Sequence, residues 1–82
     1  MSHYTARDAV LDAFKSLERS SGRLNFTPQE IIDEVMRHTD AFKESTIRTH
    51  VVSRLCREAP DNHKPTYDDL TRVGPGLYRR IK

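Results

Sequence analysis

Hydrophobic residues recur along this chain in three stretches of helical period, followed by a stretch that reads as strands. In the first, Val10, Ala13, Phe14 and Leu17 fall at i, i+3, i+4 and i+7 and so share one face of a helix. Thr5, with Asp8 three residues on, matches a capping box in which Asp replaces the usual Glu or Gln. The pattern fades at Ser20 and Ser21, and Gly22 is placed for the left-handed residue that often closes a helix. Leu24 to Phe26 follows as a short extended piece, a minimal strand.

The second helix has the clearest start in the chain. In Phe26-Thr27-Pro28-Gln29-Glu30-Ile31, Thr27 caps and Pro28 occupies the first turn, where its missing N–H costs nothing. Glu30 reaches back to the cap, and Phe26 packs on Ile31 as a hydrophobic staple. Ile31, Ile32, Val35 and Met36 are the expected buried face, and Asp33, Glu34 and Arg37 the wet one. His38, in the last turn, is expected to be structural or solvated. Thr39 to Glu44 is a link with Ala41 and Phe42 turned inward.

In the third stretch Ile47, Val51 and Leu55 recur every four residues, with Val52 and Cys56 beside them. Ser45 is the expected N-cap and Pro60 the stop, so this helix runs to about Glu58. At about 100° per residue, Thr46, Thr49, Ser53 and Arg57 fall opposite the apolar stripe, with His50 close by. Short hydrogen-bonding side chains and a cation thus share the solvent face. They either solvate an amphipathic helix or read base edges. Asp61 to Pro65 is a loop, after which Tyr67, Leu70 and Val73 lead to Gly74-Pro75-Gly76 and then to Leu77 to Ile81. That pattern predicts a hairpin with a three-residue turn. With Tyr78 in the core, Arg80 must snorkel, or a bulge must return Ile81 inward. The expected architecture is α+β: three helices, then a two-stranded hairpin, with a minimal extra strand near Leu24-Phe26.

Length and composition narrow the function. A chain of 82 residues is one domain and buries only about 60% of its unfolded surface, which leaves no room for a large enzyme cleft. Cys56 is the single thiol, so no internal disulfide forms; with no leader pattern and no long apolar run, a cytoplasmic, non-membrane setting is expected. Charge is uneven: residues 1–42 carry five Lys/Arg against seven Asp/Glu, and residues 43–82 nine against five. The basic half suits contact with a polyanion. Cys56, His50 and His63 lack the paired spacing of a zinc motif, and Asp68-Asp69, as neighbours on a strand, point to opposite faces. No catalytic residue, metal or cofactor is expected.

The element order resembles a winged helix-turn-helix domain. More closely, Ser45 to His50, the segment Leu55 to His63, and Tyr67 to Tyr78 ending in Val73-Gly74-Pro75-Gly76-Leu77-Tyr78 resemble small bacterial winged-helix modules. Those modules accompany restriction and other DNA-processing nucleases. A departure is Arg80, where that pattern favours an apolar residue two after the tyrosine. The resemblance implies double-stranded DNA as partner, helix three in the major groove, and the hairpin wing on the backbone or in the minor groove. On that basis Ser45, Thr46 and Thr49 are expected near a phosphate at the helix N-terminus, and Thr49, His50 and Ser53 at base edges. Arg57 or Arg54 falls on the flanking backbone, and Arg48, on the apolar side of the helical wheel, reaches a guanine by projecting past the core from the first turn. Lys64, Arg72 and Arg79 are assigned to phosphate or minor groove. A nucleoid-associated regulator or targeting module follows, as a homodimer or beside a partner nuclease. The alternative is a winged helix used only for protein contact or dimerisation; Asp61, Asp68 and Asp69 would favour it if they faced the duplex.

Overall fold

Two reciprocal caps start the first two helices. In α1 (Ala6–Ser21), Thr5 Oγ1 accepts from the Asp8 N–H at 3.2 Å while the Asp8 carboxylate accepts from the Thr5 N–H at 3.0 Å. In α2 (Pro28–His38), Thr27 and Glu30 exchange the same pair of bonds at 3.2 and 2.9 Å. Gly22 closes α1 at φ 74°, the left-handed conformation that costs a glycine little. The structure, a computed structural model, describes residues 4–54 and 69–81. Its elements continue with the short strand β1 (Asn25–Phe26) between α1 and α2, then α3 (Glu44–Thr49), a π-helical turn (His50–Arg54), β2 (Leu70–Gly74) and β3 (Leu77–Arg80). Three helices followed by a small antiparallel sheet in the order β1-β3-β2 form an α+β fold with a winged-helix-like arrangement. No described helix is long and apolar enough to cross a membrane.

One core joins the layers. Val10 and Phe14 of α1, Ile31, Ile32 and Val35 of α2, Ile47 and Val51 of the third helical stretch, and Phe26, Leu70 and Tyr78 of the sheet are all buried. Phe14 and Phe26 meet edge to face, ring centroids 5.9 Å apart, and this contact docks β1 on α1. Two positions on α2 depart from expectation. Met36 lies at the rim, 36% exposed, whereas Glu34 is buried. Glu34 is inside because partners surround it: Ser16 Oγ donates at 2.7 Å, His38 Nε2 at 2.9 Å and Arg37 Nη1 at 3.1 Å. A carboxylate so bonded tolerates burial. Phe42 packs against the core as expected, but Ala41 is exposed.

The third helix is differently capped and differently wound than its periodicity suggests, and its expected end at Glu58 lies outside the described residues. Lys43 is the N-cap and makes no side-chain cap bond; Ser45 lies inside the first turn. The α-helix ends at Thr49 and widens into the π turn. Five of the seven residues from Thr46 to Val52 are β-branched, which crowds a regular helix. Thr49 Oγ1 also donates to the Ser45 carbonyl at 2.9 Å, and the His50 ring to the Thr46 carbonyl at 2.8 Å. Side-chain donors on those acceptors compete with the backbone ladder and bend it.

The hairpin corrects the expected loop length and decides between the two alternatives for Arg80 and Ile81. Its loop is the two-residue Pro75-Gly76 rather than three residues: Gly74 pairs with Leu77, and Gly76 at φ 66° after Pro75 fits a type II turn. That turn splays the strands, and an irregularity between Arg72 and Gly74 restores the pairing. Tyr78 is buried as expected, but the bulge does not return Ile81 inward; Ile81 is 40% exposed. Arg80 instead lies half-buried against Glu18 of α1, with two bonds of 2.8 and 3.3 Å.

Three carboxyls are held below their ordinary values by hydrogen bonds to the charged form. These are Asp8 by the Thr5 N–H, Glu30 by the Thr27 N–H, and Glu34 chiefly by the Ser16 hydroxyl and then His38. A depressed folded-state value contributes stability above the unfolded value, about 4, and loses it as pH falls through the folded one. The melting temperature should therefore fall steadily between about pH 5 and pH 2, and Glu34→Gln should flatten that profile. A profile identical in the variant would show that Glu34 is not one of the groups responsible.

Candidate nucleic-acid interface

α3 has two faces. Ile47 is fully buried, and Val51 in the following turn likewise, while Ser45, Arg48 and Thr49 are exposed and Thr46 and His50 half-exposed. Ser45, Thr46, Thr49 and His50 together line an open concavity of about 250 Å³. Of the polar residues expected on the solvent face, Thr46, Thr49 and His50 are thus outside the core and side by side. Their hydroxyls and imidazole are the hydrogen-bonding groups that base edges require.

Arg48 resolves a difficulty of the helical wheel. Although its angle lies near the apolar stripe, it is exposed, and its Nη2 donates to Gln29 Oε1 at 2.9 Å. The bond ties α3 to the first turn of α2, and nothing in the spacing of Gln29 and Arg48 announces it. Beyond Thr49 the α-helix gives way to a wider π turn over His50–Arg54. Arg57 and Lys64 lie outside the described residues, as do the side chains of Ser53 and Arg54. Leu55, Cys56, Asp61, His63, Tyr67 and Asp68 also lie outside them.

On the wing, the register separates two arginines. Arg72 pairs with Tyr78, whereas Arg79 pairs with Thr71 and with Asn25. Residues directly opposite share a face, so Arg72 is on the Tyr78 face and Arg79 on the other. Both are exposed. Arg72 Nε donates to the Gly74 carbonyl at 3.3 Å, which holds its stem near the tip. On the outer face Arg79 borders a hollow of about 510 Å³ with Arg23, Leu24, Asn25 and Leu77. The two arginines address different sides of the hairpin.

Asp69 is turned away from any such surface. It is buried and accepts two bonds from Arg7 of α1, Nε at 2.8 Å and Nη2 at 3.3 Å. The described carboxylate of α3 itself is Glu44, exposed in its first turn beside Lys43. Among the described residues no group of three His, Cys, Asp or Glu is placed to hold a metal ion. Compared with known proteins, residues 5–80 match the family described as a domain of unknown function, DUF7669. No curated protein and no solved structure matches the chain.

Proposed function

The chain belongs to the DUF7669 family, and from its own geometry we propose that it is a non-enzymatic module for double-stranded DNA. In this reading α3 enters the major groove, and the hairpin lies along the backbone or in the minor groove. One observation carries it: Ile47 of α3 and Val51 of the following turn are completely buried while Ser45, Thr46, Thr49 and His50 form a polar hollow on the outside. The inward pairing of Asp69 with Arg7 supports it, since that removes one carboxylate from the wing surface. A single small domain makes few phosphate contacts, and non-specific binding is expected at a Kd of about 10⁻⁴ to 10⁻⁶ M at physiological salt. A second copy, or a partner nuclease or regulator that the module targets, would raise it through effective concentration.

The test is duplex affinity measured against salt for the wild type and for Arg72→Ala. Loss of one phosphate contact makes the slope of log affinity on log salt shallower by about one unit. An unchanged slope removes Arg72 from the interface, and Arg79→Ala then tests the opposite face. A second reading, contact with a protein, is favoured by the exposed Leu24 and Val73, 50% and 43% accessible. Absence of any duplex binding at low salt would select it.

A further inference from the structure

The hydrogen bonds that shape the α3 hollow also decide what it offers to a ligand. Thr49 Oγ1 gives its single proton to the Ser45 carbonyl at 2.9 Å. His50 Nδ1 lies 2.8 Å from the Thr46 carbonyl, and because a carbonyl oxygen only accepts, Nδ1 carries the proton. In the neutral imidazole Nε2 is then an acceptor. Both side chains have committed their donors to the backbone of their own helix. What remains to each is acceptor capacity: oxygen lone pairs on Thr49, and Nε2 on His50. The Ser45 and Thr46 hydroxyls make no side-chain bond to a described residue and can rotate to either role.

In the major groove, adenine shows an N6 amino donor beside N7, cytosine shows an N4 amino donor, and guanine shows two acceptors, N7 and O6. We infer that Thr49 and His50 select a base carrying an exocyclic amino group, adenine or cytosine, and reject guanine at the step they face. The inference rests on the DNA-binding reading above. Its source is as much rejection as attraction. Acceptor set against acceptor leaves both unpaired in an interface that has lost its water, and such a mismatch costs more than one good bond contributes. A guanine at a neighbouring step belongs instead to Arg48, whose guanidinium has only donors.

The test begins with duplexes selected from a random pool by the full chain at about pH 8. Each adenine of the bound sequence is then replaced by purine, which lacks the amino group, or by 7-deazaadenine, which lacks N7. Each cytosine is replaced by 2-pyrimidinone, which lacks its amino group. At one position, loss of the amino group should weaken binding about fivefold to tenfold, and loss of N7 at an adenine should leave it unchanged. Thr49→Val keeps the β-branch and removes the oxygen, so the amino-group penalty should shrink, while Thr49→Ser should retain it. Comparing variants on the same duplexes cancels any effect of the analogue on base pairing. Bound duplexes whose affinity ignores every amino group, or a penalty unaltered in Thr49→Val, overturn the inference and leave DNA binding standing. Failure to bind any duplex overturns both.

Discussion

Phe26→Ala should destabilise the protein by about 3–5 kcal/mol, the cost of emptying a large aromatic site in a core. Phe26 is fully buried, packs edge to face on Phe14, and carries the Arg23 guanidinium 5.2 Å from its ring centroid. Its backbone pairs with Tyr78, so the same residue joins β1 to the hairpin. A domain of this size has a total stability of roughly 4–12 kcal/mol, so the variant is left near the edge of folding. Urea denaturation measures it: with m about 1.5 kcal/mol/M, the midpoint should fall by roughly 2–3 M at unchanged m. A loss below about 1 kcal/mol would mean that the ring is not enclosed as described.

The second large effect concerns the pair that anchors the hairpin to the helices. Arg7→Ala should cost about 2 kcal/mol, because it strands the buried Asp69 carboxylate without its guanidinium. The figure is at the low end for a buried pair because the Arg7 side chain is 39% exposed and part of the attraction is screened. Asp69→Asn should cost less, about 1 kcal/mol, since the partially exposed Arg7 regains water. In the double variant the two losses should not add, because asparagine relieves the stranded charge that Arg7→Ala creates. Additive losses would show that the two side chains act independently. The base of the hairpin is at stake, for the Ile81 N–H donates to the Asp69 carbonyl at 2.8 Å.

The candidate interface was legible in part. Thr46, Thr49 and His50 could be assigned outside the core from the periodicity of Ile47 and Val51, because a helix that buries one stripe must expose the opposite one. The winding of that helix was not legible, since β-branched crowding and two side-chain bonds to the backbone turn it π-helical after Thr49. The separation of Arg72 from Arg79 was hidden as well. Flanking one turn suggests one surface, and only the register assigns a face to each.

By itself the sequence determined what lies within three or four residues. The two capping boxes, the glycine that closes α1, the proline that opens α2 and the place, though not the length, of the hairpin turn are local geometries, each specified by residue type and spacing. Tertiary structure alone decided which charges are buried and with whom. Glu34 lies inside because Ser16 of another helix meets it, while Arg80 finds Glu18 and Arg7 finds Asp69, both across 62 positions of chain. Such partners are brought together by the packing of α1 against the sheet, and a pairing of that span leaves no periodic trace in the order of residues.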